Sequence, residues 1–309
     1  FLFDSVQGTG RAINIDGNMY TGNNDFSTNL DGYDGVSSFT SPTGGFTLDE
    51  SEAVNYAYDS DYSGSIDTYE RYVAWGWKLG SNGGDSTWAA GNTDPTTEKY
   101  NASAGVSVIR QEETSGTYPM AGVTVNHSLG AAPEFVFLMD NTSNTQEVFA
   151  WHKDLDANKY LKLGQNSAQT TGSGYFPSGC STATTFEIGG DIAGANSSDG
   201  SWDIYAYLFT GVEGYSQFGK VTGNGDSSDG NFCYLGFRPA LIIMKNITHS
   251  SGYHWRMWDS ARGAHNVNDE VMYPSLSSAE TTSDGHIDFL SNGFKLRSSA
   301  GNLSSDYIY

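Results

Sequence analysis

The chain has 309 residues, of which 17% are charged, 14% are aromatic and 38 are glycine, and its formal net charge is −21. Phosphate binding needs clustered lysine and arginine, so this charge argues against nucleic acid as a partner and disfavours an anionic membrane surface. Gly, Ser, Thr, Asn, Asp and Tyr are abundant, which predicts an all-β protein of short strands and many turns. Such an acidic composition also suits a soluble extracellular protein, often one that holds divalent cations.

Strands are predicted where apolar and polar residues alternate within runs rich in β-branched and aromatic side chains. In chain order they lie at 72–78, 105–111, 121–126, 134–140, 147–152, 159–163, 184–188, 203–209, 231–235, 240–245, 253–258, 287–290, 293–297 and 306–309. No window predicts a long amphipathic helix, and 274–280 is expected to form one short helical turn. No run of about 18 apolar residues occurs that could span a membrane.

An acidic insertion at 49–70 precedes the first predicted strand, and residues 59–70 read DSDYSGSIDTYE. Calcium prefers six to eight oxygen ligands, which a twelve-residue calcium loop supplies at fixed positions around a glycine. Gly64 falls at the sharp turn, and Glu70 can bind through both carboxylate oxygens. The predicted calcium ligands are Asp59, Asp61, Ser63, Ser65 (through its carbonyl), Asp67 and Glu70. A solvated acidic turn is the alternative, because an EF-hand has helices on both sides whereas a strand is predicted to follow here.

The sequence contains an internal repeat. Residues 130–143 and 236–249 each contain a glycine, a proline three residues later, an apolar run and a polar turn rich in Asn and Thr. Trp151 then corresponds to Trp258, and strand-like runs near the end of each copy also match. Self-similarity at a fixed period indicates tandem copies of one structural unit. The predicted domains are a partial repeat at 1–80 with the acidic insertion, a linker at 81–104, a full repeat at 105–214 and a nearly full repeat at 215–309.

About seven or eight strands in each copy predict tandem two-sheet β-sandwich repeats of jelly-roll or lectin-like type, with the first copy incomplete. Cys180 and Cys233 lie in different copies, and a disulfide framework needs more cysteines. Both are therefore predicted to be buried, small apolar residues, with a bridge between them as the alternative. Both ends of the chain look cut from a longer protein.

Exposed tryptophans on a β-sandwich can stack on the faces of sugars. Trp151 and Trp258 share one repeat position, which favours core packing for both. Trp88 and Trp202 lie in polar, loop-like sequence, so they are the predicted carbohydrate-binding residues. Burial in a core is the alternative for these two side chains.

Several stretches, which follow one another in a fixed order along the chain, carry a family resemblance. They are YVAWGWKLG at 72–80, HSLGAAPEFVFL at 127–138, WHKDL at 151–155, YAYLFTGVEGYSQFGKVTGNG at 205–225, DGNFCYLGFRPALIIMK at 229–245 and DYIY at 306–309. Together they resemble a repeat family of bacteriophage virion proteins, the tail fibre and structural proteins of phages that infect aquatic bacteria. The resemblance covers about 65–309 and is weaker over 1–64. The acidic insertion at 49–70 departs from the family pattern.

The resemblance implies a structural or adhesive segment of a phage tail fibre or similar surface appendage, found on the virion or outside the cell. Such a segment would associate with copies of itself, as a trimer or fibre, and attach to host-surface glycans. An extracellular lectin-like carbohydrate-binding module is one alternative.

Catalysis is not predicted. The family carries no catalytic motif, and the sequence has no HExxH, no GxSxG nucleophile elbow and no Walker loop. The chain is therefore predicted not to be an enzyme. A polysaccharide-depolymerising tailspike is the second alternative, because 36 acidic residues offer many carboxylate pairs for glycoside hydrolysis.

Overall fold

The structure is a computed structural model that describes residues 36–39, 46–48, 74–82, 96–113, 123–140, 148–177, 179–191, 202–226, 228–249, 253–276, 278, 280–282, 285–298 and 305–309. Within these residues no helix is both long enough and apolar enough to cross a membrane. The protein is all-β, and every strand pairing in the described part is antiparallel.

The described strands are β1 (Val36–Phe39), β2 (Phe46–Leu48), β3 (Ser81–Asn82), β4 (Thr96–Asn101), β5 (Val106–Glu113), β6 (Val123–Asn126), β7 (Phe135–Asp140), β8 (Val148–His152), β9 (Lys159–Lys162), β10 (Thr170–Thr171), β11 (Thr185–Ile188), β12 (Trp202–Phe209), β13 (Lys220–Thr222), β14 (Phe232–Tyr234), β15 (Leu241–Asn246), β16 (Arg256–Asp259), β17 (Ile287–Leu290), β18 (Gly293–Leu296) and β19 (Asp306–Ile308). One 3₁₀ turn, Ala102–Ala104, separates β4 from β5.

The largest sheet has eight strands in the order β10-β9-β8-β7-β12-β5-β4-β3, and β6 pairs with β11 in a separate two-stranded sheet. Farther along the chain, a four-stranded sheet has the order β13-β19-β15-β16, and a three-stranded sheet has the order β14-β18-β17. Strands β1 and β2 form a pair of their own.

Two predictions about the first third of the chain differ from the structure. Residues 74–78, within the predicted strand 72–78, belong to no strand, and positions 72 and 73 lie outside the described residues. Trp77 instead packs edge-on against Phe209, with ring centroids 6.0 Å apart. The aromatic side chain of Trp77, which helped to predict a strand here, therefore packs against β12 without its backbone joining a sheet.

The segment 81–104, predicted to be a linker, contains β3 and β4, and β4 pairs along its whole length with β5. Its sequence is polar, but Glu98 is buried. The hydroxyl of Ser107 and both the amide and the hydroxyl of Ser128 donate hydrogen bonds of 2.7–2.9 Å to the Glu98 carboxylate. This satisfied carboxylate explains how a polar strand adds to the sheet.

Side chains of β12 point alternately to two different cores, as a strand buried on both faces requires. Ile204 and Leu208 join a first core, where the eight-stranded sheet packs with Val125 and Phe186 of the β6–β11 sheet. Tyr205 faces the opposite side, together with Tyr207. This double burial accounts for the nearly continuous apolar run in β12.

The second core lies between the four-stranded and three-stranded sheets. Ile242, Trp258 and Tyr307 of the four-stranded sheet share one buried cluster with Phe289 and Phe294 of the three-stranded sheet. Trp258 is completely buried, and its indole Nε1 donates a 2.7 Å hydrogen bond to the Gly285 carbonyl.

A junction core joins the two halves of the described structure. Tyr205 and Tyr207 of the eight-stranded sheet cluster there with Trp255 and Ile308 from the C-terminal half. The Trp255 indole donates a 3.2 Å hydrogen bond to the Lys162 carbonyl, so the ring is fixed to both halves. The outward face of one sheet is thus covered by the outward face of another, and the apolar surface between them is removed from water.

Candidate functional site

The predicted calcium ligands Asp59, Asp61, Ser63, Ser65, Asp67 and Glu70 lie outside the described residues, as does Trp88. Trp202 begins β12, where its backbone pairs with Glu113, and its side chain is also outside the described part. The calcium site and the two sugar-binding tryptophans therefore stay predictions. Among the described residues, no group of three or more His, Cys, Asp or Glu side chains is arranged to hold a metal ion.

The core packing predicted for Trp151 and Trp258 and the burial predicted for the two cysteines are confirmed. Trp258 belongs to the second core, and Trp151 packs on the first core with its ring edge-on to Phe186 at 5.7 Å. Cys180 and Cys233 are buried free thiols. Burial raises the pKa of each thiol to about 12, so neither supplies a thiolate nucleophile near neutral pH.

The outer face of the three-stranded sheet carries an exposed aromatic pair, Phe232 and Tyr234, which are 45% and 65% exposed. They flank the buried Cys233 on β14, an edge strand of this sheet. Most large apolar side chains in a folded protein lie in its core, so two neighbouring exposed rings on one sheet face mark a candidate contact surface.

The matching strand of the N-terminal half has no such pair. Val125 on β6 lies opposite Phe186, as Cys233 on β14 lies opposite Phe294, so the two strands hold the same place in their sheets. The positions that flank Val125 are occupied by Thr124 and Asn126. An aromatic pair is therefore not needed to build this type of strand pair.

Glycine and polar side chains leave the aromatic pair open. Gly293 lies opposite Tyr234, and a Cβ added there would come within 3.0 Å of the Phe232 ring and 1.9 Å of the Cys233 carbonyl oxygen. Beside the rings, the Lys295 ammonium forms an ion pair with the exposed Asp229 carboxylate. Two flat rings beside charged groups can stack on an apolar ligand face while polar groups bind its hydroxyls.

The junction contains a buried lysine with no ion-pair partner among the described residues. Lys245 is fully buried, and its Nζ donates hydrogen bonds to the carbonyls of Asn166 at 3.3 Å, Asn246 at 3.0 Å and Tyr253 at 2.6 Å. Burial, and to a lesser extent the charge of Arg256, lowers the pKa of Lys245 to about 7. The Lys245 amine therefore hydrogen-bonds to both halves of the structure, to Asn166 in one and to Asn246 and Tyr253 in the other. Its charged form is destabilised by the loss of hydration.

A buried histidine also spans the junction. His152 accepts a 3.1 Å hydrogen bond at Nδ1 from the Asp154 amide, and its Nε2 donates to the Tyr309 carbonyl at 3.2 Å. Burial lowers the pKa of His152 to about 4, so the imidazole is neutral at physiological pH. Both ring nitrogens are satisfied in the neutral form, which identifies His152 as a structural residue rather than a general base.

Sequence reasoning placed sugar contacts at Trp88 and Trp202 and missed Phe232 and Tyr234. The predicted burial of Cys233 was the signal that could have found them, because alternation along the predicted strand 231–235 puts Phe232 and Tyr234 on the opposite face. In the structure Cys233 is buried opposite Phe294, and the two rings are exposed.

Comparisons with known proteins identify the family. The family model described as a domain of unknown function, DUF7483, matches residues 1–309. Comparison with curated proteins and with solved structures gives no match. Because the family model spans the whole sequence, the chain belongs to the DUF7483 family.

Proposed function

We propose that this protein is a structural and adhesive segment of a phage tail fibre or similar surface appendage, which attaches to host-surface glycans. The observation that carries the proposal is the exposed aromatic pair on β14, at positions where the matching strand holds Thr124 and Asn126. Neither ring belongs to the second core and both are exposed, so they are available to an external ligand. Sugar rings present an apolar C–H face that stacks on aromatic side chains, and hydroxyls that bind polar groups at the rim.

The proposal includes a tandem two-sheet sandwich, of jelly-roll or lectin-like type, with an incomplete first copy. Its support is the strand order: β5-β12-β7-β8 in the N-terminal half has the same order of equivalents as β13-β19-β15-β16. The pair β6–β11 likewise corresponds to β14–β18. In each half, a buried apolar cluster lies between the larger and the smaller sheet.

The junction core supports the structural part of the role. A buried contact between successive units suits a segment of a fibre. Here the contact combines tyrosine and tryptophan rings with hydrogen bonds across the junction. We further propose a location on the virion or outside the cell, association of the chain with copies of itself as a trimer or fibre, and calcium binding at 59–70.

Oligomerisation would compensate for weak binding at each site. Two stacked rings contribute about 1–3 kcal/mol beyond buried area, which corresponds to roughly five- to hundredfold in affinity. Several copies held on one appendage raise the effective concentration at a glycan-coated surface, and the overall avidity then exceeds that of any single contact.

The test is binding of the full chain to an array of bacterial surface glycans, with the double variant Phe232→Thr, Tyr234→Asn, which copies the residues of the matching strand. The variant is expected to keep the circular dichroism spectrum and melting temperature and to lose at least about fivefold in affinity. Tyr215→Asn removes another exposed ring and is the matched control, for which no loss is expected. Unchanged binding by the double variant, or loss of equal size in the control, would contradict the proposal.

A further inference from the structure

Arg256 is a buried cation that has no ion-pair partner among the described residues. It lies on β16 opposite Met244 and on the same strand face as Trp258, and only 6% of its surface is exposed. Its Nε is sealed from solvent without a hydrogen-bond partner, and no ion pair joins the guanidinium to a carboxylate in the described part of the chain. Glu270 also has a buried carboxylate oxygen without a partner, yet it makes no ion pair with Arg256.

The positive charges that act on one another near Arg256 include Lys245 and His254. His254 is two residues earlier on the chain, and its Nδ1 lies 2.9 Å from the hydroxyl of the buried Ser275. The pKa of His254 is lowered mainly by burial and to a lesser extent by the positive charges of Lys245 and Arg256. The charges of these three side chains therefore repel one another. The Tyr273 ring lies edge-on to the imidazole, with ring centroids 6.0 Å apart, and packs against the second core.

The fold itself does not need an arginine at this position. Leu138 lies opposite Phe149 in the N-terminal half as Met244 lies opposite Arg256, so Arg256 takes the place of a buried phenylalanine. A buried guanidinium is strongly destabilising unless an anion or hydrogen bonds compensate its loss of hydration, and arginine stays protonated in proteins. A bound anion would explain why Arg256 occupies a position where phenylalanine can pack, because the anion would neutralise the buried guanidinium.

We propose that Arg256, together with His254 and Ser275, forms an anion site that binds a carboxylate. The guanidinium presents a planar set of N–H donors that matches the two oxygens of a carboxylate. Ser275 and the imidazole are hydrogen-bonded to each other, so together they leave one N–H or O–H donor for the ligand. The site is separate from the aromatic pair, so this inference does not rest on the proposed adhesive role.

The source of the carboxylate is either an acidic saccharide or a small free acid, and the probes separate the two. Full-length protein is titrated calorimetrically with glucuronate, acetate, sulfate and uncharged glucose, while the His254 imidazole is followed by NMR. Binding of glucuronate alone indicates an acidic saccharide, and equal binding of acetate indicates a small acid. Either result supports the site, provided that the bound anion also raises the pKa of His254, as a nearby negative charge must.

Arg256→Met tests the assignment, because the matching position tolerates an apolar side chain and the variant should fold. We expect at least about a tenfold loss of carboxylate affinity and no rise in the pKa of His254. Ser275→Ala should fold as well and lose less affinity. Arg238→Met, which removes an exposed arginine that lies over the Phe289 ring, is the control and should bind as the native chain does. Equal binding by native chain and Arg256→Met, preference for sulfate over carboxylate, or no binding of any anion would overturn the proposal.

Discussion

Replacing Lys245 by methionine is expected to remove a large part of the pH dependence of folding. The matching residue of the N-terminal half is Met139, which is buried in the junction core, so methionine fits this type of site. The pKa of Lys245 falls from its ordinary value of 10.5 to about 7 on folding. Between pH 7 and 10.5 the unfolded chain therefore holds a proton that the folded chain has lost, and stability rises with pH through that window.

The size of this effect follows from the shift. Each pKa unit corresponds to about 1.4 kcal/mol, so deprotonation of the folded state stabilises the native chain by about 5 kcal/mol across the window. Below pH 7 the lysine is charged in both states and contributes no slope. In the methionine variant the contribution is absent at every pH, so the unfolding free energy of the native chain should rise by about 4 kcal/mol relative to that of the variant from pH 6 to pH 10.

The assay is urea denaturation followed by tryptophan fluorescence at one-unit intervals from pH 6 to pH 10. Lys220→Met is the matched control, because Lys220 is a surface lysine of the same half with an ion-pair partner at 3.6 Å. Its pH profile should run parallel to that of the native chain. If the Lys245→Met profile also runs parallel to the native one, Lys245 does not carry a buried, destabilised charge and the reasoning is refuted.

Three further predictions concern the junction and the acidic insertion. His152, whose pKa falls from 6.5 to about 4 on folding, should cost the native chain about 3 kcal/mol of stability as the pH falls from 7 to 4, and His152→Gln should lack this loss in acid titrations of stability. Trp255→Ala should destabilise the protein by about 3–5 kcal/mol in urea, whereas Tyr215→Ala, at an exposed ring, should change stability by less than about 0.5 kcal/mol; equal effects would contradict the junction core. Chelation of calcium should lower the melting temperature of the native chain, and Asp59→Ala with Glu70→Ala should abolish that effect in calorimetry; an unchanged native melting temperature would remove the calcium site.

Strands that hide one or two apolar faces could be predicted from the sequence. From Ile204 to Phe209, β12 carries an aliphatic or aromatic residue at every position because its two faces contribute to two different cores. The strand β4 could not be found in this way, since its sequence, TTEKYN, is polar. Its Glu98 is stabilised by Ser107 and Ser128, and Ser128 is distant in sequence, so only the folded chain shows that the carboxylate is satisfied.

The candidate sites were harder to predict for a related reason. The predicted burial of Cys233 assigns the inward face of the Phe-Cys-Tyr strand, but the exposure of Phe232 and Tyr234 depends on whether another element covers the outer face of the sheet. The charged residues Lys245 and Arg256 sit in strands that the sequence did predict, but their burial depends on tertiary packing. Comparison of the two halves predicts that both positions are buried, because Lys245 and Arg256 hold the places of the apolar residues Met139 and Phe149.

The most direct measurement of the adhesive role is a crystal structure of the full chain with a bound oligosaccharide identified on the glycan array. The account predicts a sugar ring lying flat against Phe232 and Tyr234, with its hydroxyls near Lys295 and Asp229. Sugar density at a different surface, or burial of both rings beneath a second copy of the chain, would contradict it.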